Sequence, residues 1–391
     1  MDSFLIAGIF FALLLNFVNG MNDAANAIST VIATRVLTPL QAVTMAAFFN
    51  LVGPLLFTTA VAKTVGSGLI EPGLISTMLI LAAMISAVSW VFFTTHFGIP
   101  ISSTHAMVGG LIGAALAKEG LGSVIWPSII TLQSLFISIA VGAVLGAIIF
   151  GIIGKLLGNS IYQYLKIGGF FGFVVAIPLL VAAGVLKLSG LLAILVFMVI
   201  APSLGFLVTF CFGAVLIRLC RKKNAARMNK IFKKLQVVSS AFYSVNHGSN
   251  DAQHAMGVIT ALLVANGILT EFAVPIWVIL ISSAAISLGT FLGGRRVIET
   301  MGHKITKLLP YQGFCAETGG GFVLFFVTLF GIPVSSTHSI TGSIMGIGAT
   351  RGYSAVKWGV VREIVATWII TIPASATVAF CFYHLLMIVF G

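Results

Sequence analysis

Charge is what this chain has least of. Only 8% of its 391 residues are Asp, Glu, Lys or Arg, against about 25% in soluble globular proteins. That excludes an ordinary soluble domain. Acidic groups are the scarcer sign, nine against 21 Lys and Arg. Cysteine is scarce too. Cys211, Cys220, Cys315 and Cys381 have no paired metal-ligand spacing, and three of them lie in apolar segments. Neither a disulfide framework nor a zinc site is expected. No basic stretch precedes the first apolar run, where Asp2 is the only charge. No small-residue cleavage site is followed by a polar mature domain. No removable signal peptide is therefore expected, and the first helix itself should direct insertion.

The net charge of +12 does not point to nucleic acid. Eight of the 21 basic residues crowd into "RLCRKKNAARMNKIFKK", residues 218–234, which has no acidic residue. The positive-inside rule makes this a cytoplasmic loop, with contact to anionic membrane lipids as a secondary role.

Apolar residues fill the rest. They make up 59% of the chain, with mean hydropathy +1.14, and they recur in runs such as Leu135 to Ile153 and Phe170 to Val185. Runs near 20 residues match a hydrocarbon core of about 30 Å. The expectation is an all-α polytopic membrane protein with roughly ten to twelve membrane elements, at one helix per 20 apolar residues.

The chain repeats itself. "GMNDAANA" from Gly20 to Ala27 has a second copy, "GSNDAQHA", from Gly248 to Ala255. "GIPISSTHAMVGGLIG" from Gly98 matches "GIPVSSTHSITGSIMG" from Gly331. Order is kept, and the aspartate-to-proline spacing is 77 residues in one copy and 82 in the other. Trp126 and Trp358 follow the two motifs at similar distance. We read a first repeat over 1–155, a central insert over 156–234 ending in the basic segment, and a second repeat over 235–391. Hydropathy leaves their relative orientation open. It also leaves open whether the segments after each SSTH are full spans or re-entrant.

Of the nine acidic residues, six lie at expected span ends or in loops. Asp23, Asp251 and Glu317 lie within or beside apolar segments. A carboxylate at membrane depth costs at least about 2.5–3.5 kcal/mol. No Lys or Arg lies within ten residues of Asp23 or Asp251. A hard cation held by oxygen ligands is the simplest compensator. Asn22 and Asn26 share a helix face, as do Asn250 and His254. The glycine that opens each octet is expected to permit a helix break there. Capping by Asn and Asp would explain one octet, not the pattern in both halves.

Pro100 and Pro333 suit the first turn of a helix. Ser102, Ser103 and Thr104, and likewise Ser335, Ser336 and Thr337, then bring hydroxyls, free backbone N–H groups and the positive end of the helix dipole together. Ordinary capping or close helix packing is the bland alternative. Paired with the acidic octets, these starts read as an anion site. The anion should be tetrahedral and oxygen-rich, since small O–H and N–H donors suit it and no arginine is expected at the site for planar, bidentate carboxylate recognition. Two half-sites meeting on a duplicated scaffold describe an ion-coupled anion transporter with alternating access.

These motifs resemble the inorganic phosphate transporter (PiT) family, which carries a G-A-N-D-V-A-N-A-type signature and a P-[IV]-S-[ST]-T-H segment in each half. Met21, Ala25 and His254 depart mildly from that pattern. The resemblance implies inverted repeats, a homodimer, phosphate as substrate, and an N-terminus outside the cell (inner) membrane. It puts phosphate against Asn22, Asp23, Ser102, Ser103, Thr104, Asn250, Asp251, Ser335, Ser336 and Thr337. It puts sodium against Asn22, Asp23, Asn26, Asn250, Asp251 and Glu317. Glu317 matches a family acidic position sixteen residues before Pro333; the same place in the first half is Met84. No resident cofactor is expected, sodium being a co-transported ion. Proton coupling through His105 or His338, or through His96, His247 or His254 close to the motifs, with phosphate or metal–phosphate carried, is the alternative. A non-transporting phosphate sensor is another reading. An intramembrane hydrolase using Ser103 or Ser336 with the adjacent histidine is remote, because near neighbours on a helix do not face each other.

Overall fold

The computed structural model describes residues 3–156, 160–188 and 190–390; Asp2 lies outside them. Among the described residues the fold is helical, with one isolated bridge between Ile70 and Val124. In the first half α1 spans Ser3–Ala33, α2 Pro39–Val52, α3 Ala60–Ser67, α4 Thr77–Phe97 and α5 Ser103–Glu119. The middle holds α6 (Ile129–Leu156), α7 (Ile161–Ala182) and α8 (Gly190–Cys220). Then come α9 (Ala225–Ala265), α10 (Ile276–Leu292), α11 (Arg295–Glu299), α12 (Pro310–Leu329), α13 (Ser336–Ala349) and α14 (Trp358–Phe390).

Six helices, α1, α4, α6, α7, α8 and α14, are long and apolar enough to cross a membrane, and two bent pairs bring the number to eight. α9 and α12 have the length but carry the polar residues described below. α5 and α13 have 17 and 14 residues, about 25 and 21 Å at 1.5 Å per residue. They are too short to span, and nearly all of α13 is buried. Each follows a longer helix through an extended segment, α4 into α5 and α12 into α13. Gly98 and Gly331 end those longer helices at φ 71° and 66°, which only glycine adopts without strain.

The octets do not break their helices. α1 and α9 run through them unbroken. The breaks belong to the neighbours: α2 with its following turn meets α3 at 80°, and α10 meets α11 with its following π-turn at 67°. The octet glycines serve close approach instead. A Cβ on Gly20 would overlap the Ile286 carbonyl of α10, and one on Gly248 would overlap the Asn50 backbone of α2. Ala and Gly on these faces let backbones touch, as membrane helix packing requires.

α1 and α9 pass each other antiparallel. Asn16 meets Ala252, Asn19 meets Asp251, Asp23 meets His247, Ala27 meets Ser240 and Thr34 meets Gln236. Along this series the partner number falls as the α1 number rises. The two octets therefore face each other at the crossing.

Packing in the other helices is reciprocal too. Gly109 and Gly113 of α5 lie against the carbonyls of Ile372 and Ala376 of α14. Their counterparts on α13, Gly342 and Gly346, lie against the carbonyls of Pro202 and Phe206 of α8. α6 packs chiefly on α7. The basic stretch expected as a loop is mostly helix. Arg218 lies in the last turn of α8, only residues 221–224 connect, and Asn224 caps α9 by accepting the Arg227 N–H at 3.0 Å. The run Ala225–Met228 consists of good helix formers.

Candidate functional site

The site lies where α1 and α9 cross, under the starts of α5 and α13. Each octet is matched with the hydroxyl-rich helix start of the other half. Asn26 of α1 donates to Thr337 Oγ1 at 3.0 Å and to Ser336 Oγ at 3.3 Å. His254, which takes the place of Asn26 in the second octet, lies 3.3 Å from Thr104 Oγ1, the counterpart of Thr337. Ser103 donates to Asn19 Oδ1 at 2.7 Å, and Asn19 donates on to Asp251 at 3.4 Å. His105 and His338, equivalent residues, touch edge to face at 4.8 Å.

At the centre are two carboxylates, Asp23 and Asp251, both buried. Ser336 Oγ is 3.0 Å from Oδ2 of each. Its single proton serves one at a time, which ties the two acids to one hydroxyl. Thr337 donates to Asp23 Oδ1 at 3.2 Å. His247 Nε2 lies 3.2 Å from Asp251 and 3.9 Å from Asp23, without hydrogen-bond geometry; its Nδ1 is 3.1 Å from Asn50 Oδ1. Asp23, His247 and Asp251 could together hold a metal ion, with ligand atoms within 4.8 Å of one another. The side-chain oxygens of Asn22 and Asn26 are buried with no donor. Such an oxygen is costly to leave unpaired and suits a cation.

The other expected residues sit around this centre. Asn22 donates to Thr95 of α4 at 2.8 Å, while Asn250 donates to Asp251 and to the Val334 carbonyl. Ser102 and Ser335 cap their own helices, accepting the N–H of His105 and His338 at 3.2 and 3.3 Å. Pro100 and Pro333 fall before these caps, not in the first turn, since each helix begins three residues later. Capping thus takes the first hydroxyl of each triplet and leaves the other two for the site.

Glu317 is not with the aspartates. It is buried on α12 and accepts from Thr30, Ser239 and, at 3.3 Å, Gln236. Thr30 is seven residues beyond Asp23, about 10 Å along the helix. Glu317 therefore makes a separate polar pocket.

Asn16, Asn19, Thr30, Ser239 and Gln236 were not among the expected site residues, and His247 was expected only as a proton relay near the motif. Their signal is in the spacing. Residues 16, 19, 23, 26 and 30 recur at three and four, one polar stripe along α1. Ser240, Ser244, His247, Asp251 and His254 make the matching stripe on α9.

The model of the phosphate transporter family matches residues 19–379. The chain belongs to the phosphate transporter family. It is 41% identical over 95% of its length to a probable low-affinity inorganic phosphate transporter of Rhizobium meliloti (strain 1021), covering 93% of that protein. It is 32% identical over 97% of its length to one of Bacillus subtilis (strain 168), covering 96% of it. The solved structure of a sodium-dependent phosphate transporter superposes with a TM-score of 0.70 at 25% identity, over 99% of this chain and all of that one. The chain is thus a multi-pass membrane phosphate transporter and not a hydrolase. The geometry agrees: Ser103 and Ser336 bond to Asn19 and the aspartates, not to a histidine.

Proposed function

We propose that the protein imports inorganic phosphate by symport with sodium, through alternating access of one site shared by two inverted repeats. The observation that carries this is the pairing of Ser336 and Thr337 with Asp23 and Asp251. The donors an oxyanion would use are taken by carboxylates. Those carboxylates also repel the anion. A cation bound by Asp23, Asp251 and the free oxygens of Asn22 and Asn26 neutralises them and releases the hydroxyls. Phosphate then finds Ser103, Thr104, Ser336 and Thr337 at two helix starts. Cation binding comes first, and neither ion binds well alone. That is coupling, expressed as a free energy between sites. Glu317, with Thr30 and Ser239, serves a further cation.

The antiparallel α1–α9 crossing supports inverted repeats. The reciprocal glycine contacts support pairing α8 with α14, so that α6 and α7 are the unduplicated hairpin. This moves the division of the chain from the expected boundaries at 155 and 234. The basic segment faces the cytoplasm, the N-terminus lies outside the cell membrane, and the transporter works as a homodimer. The choice of sodium agrees with the structural neighbour, a sodium-dependent phosphate transporter.

A second reading has one observation behind it. His247 stands between the two aspartates. A proton there would neutralise them as a cation does, which is proton coupling. Phosphate uptake into proteoliposomes, driven by a sodium gradient, a proton gradient or neither, separates the two. Sodium-driven uptake is expected. Uptake that needs only the proton gradient would contradict sodium symport.

A further inference from the structure

The pseudo-symmetry of the two halves is broken at one place beside the site. Thr300 donates to the Gly98 carbonyl at 2.9 Å, and Thr64 donates to the Gly331 carbonyl at 2.8 Å. A Cβ on Gly98 would press on Arg296, and one on Gly331 on Ala60. Gly98 and Gly331 are equivalent, so Arg296 corresponds to Ala60 and Arg295 to Thr59. In the same register His96 corresponds to Leu329. One side of the molecule thus carries two arginines and a histidine where the other carries threonine, alanine and leucine. The nearest compensation, Lys63 opposite Glu299, lies a turn further along.

The arginines border a cleft of about 360 Å³ with Met21, Phe92, Thr95 and His96. Arg296 donates to the His96 carbonyl at 2.5 Å. Among the described residues neither Arg295 nor Arg296 has an acidic partner. Both are exposed, yet Phe92 beside them on the cleft wall is exposed too. Their depth is set by Gly294, which packs on the Met21 carbonyl within the octet. The octets mark the crossing of α1 and α9, and Met21 lies 12 residues, about 18 Å, from the nearer end of α1. An unpaired arginine facing lipid at that depth is strongly unfavourable; such residues face a water-filled cavity. The cleft also ends on the substrate site. Thr95, on its wall, accepts from Asn22 at 2.8 Å, and Asn22 has a buried unpartnered oxygen.

We propose that this cleft is a water-filled vestibule with an anion transit site, through which phosphate passes between the shared site and one face of the membrane. Arg295 and Arg296 attract the oxyanion, and His96 adds a ring donor on the way to Thr95 and Asn22. The face follows from the packing. After Arg296 the chain runs along α1 toward Ala33, with Gly302 against Ser29 and Ala33. That end of α1 lies beside Gln236, about three turns into α9 and two residues past the basic segment. The vestibule therefore opens to the cytoplasmic side. It deepens the function proposed above and rests on it. On the equivalent opposite side Thr59 and Ala60 replace the arginines, and the cation there, Lys63, stands a turn further along. The two directions of transport then differ in how they gather phosphate, although one site serves both.

Two measurements test this. In the first, Arg295→Cys is reconstituted, and membrane-impermeant thiol reagents, one anionic and one cationic, are added from either side, with the unsubstituted protein as blank. The introduced thiol should react from the cytoplasmic side only, and inorganic phosphate should slow that reaction. A thiol unreactive from both sides, or reactive only from outside, would overturn the vestibule. This arm reads water access and does not depend on sodium coupling. In the second, R295Q/R296Q is compared with R295K/R296K in sided phosphate fluxes. The glutamine pair should raise the half-saturating phosphate concentration from the cytoplasmic side about tenfold, the scale of electrostatic focusing. It should leave the outer side and the sodium dependence unchanged, and the lysine pair should stay near the parent. Equal changes on both sides would overturn the transit role. If the parent protein itself moves no phosphate with sodium, the symport reading fails while the thiol result still stands or falls alone.

Discussion

The two halves of this chain are built alike and charged differently. Each contributes an octet with one aspartate and a helix start with three hydroxylated residues. The first octet meets Ser336 and Thr337 of the other half, and the second meets Thr104 of the other half through His254 while its Asp251 also takes Ser336 of its own half. Around that symmetric centre the halves diverge. The second half places Glu317 where the first has Met84, His247 where the first has Asn19, and Arg296 where the first has Ala60. Duplication builds a scaffold with two equivalent conformations, which alternating access needs. The divergent residues then give each side a distinct chemistry.

The centre is where the halves should behave most alike. Asp23→Asn and Asp251→Asn should each abolish coupled uptake, with the protein still folded and inserted, in a proteoliposome flux assay. Normal sodium-driven uptake in either variant would break the symmetric account, because the two carboxylates share Ser336.

The hydroxyls sharpen the comparison. Removing Ser336 and Thr337 should weaken phosphate binding more than removing Ser103 and Thr104. The former touch both aspartates, whereas Ser103 reaches Asp251 only through Asn19. Each hydrogen bond lost to a charged ligand costs about 1.5–3 kcal/mol. Phosphate affinity of the two double alanine variants decides it; equal losses for phosphate and sodium would favour a purely packing role.

Much of this was legible in the sequence. The octets, the SSTH segments, their order and the scarce carboxylates led to the family and to the central residues. The break positions were not legible, because a glycine reads the same whether it bends its own helix or admits a neighbour. Gly20 and Gly248 do the second. The role of Ser102 and Ser335 was hidden for a related reason: capping and ligand binding use the same hydroxyl. Glu317 was expected as an additional cation ligand on one side, and only the fold reveals its partners Thr30, Ser239 and Gln236. His247 was visible as a neighbour of the motif, but its place between two acids depends on α1, far away in sequence.

The reciprocal helix contacts offer a smaller effect with a clear control. Gly109→Val and Gly342→Val should destabilise by similar amounts, about 1–3 kcal/mol each as overpacking does. Thermal unfolding in detergent measures this. A large effect at Gly109 with none at Gly342 would break the match of α14 with α8.

Glu317→Gln should give the smallest change, and an asymmetric one. It should shift the sodium dependence of uptake several-fold to higher concentration and leave uptake sodium-dependent. Loss of net uptake with intact phosphate exchange and unchanged sodium dependence would instead make Glu317 a proton carrier.

The central claim is that two halves build one site, opened to phosphate by a cation. Equilibrium binding of radiolabelled phosphate to purified R295Q/R296Q, which lacks the vestibule arginines, tests it most directly when titrated with sodium. The account predicts one phosphate per chain, bound only when sodium is present and lost in the added Asp23→Asn variant. Two phosphates per chain, or full binding without any cation, would contradict it.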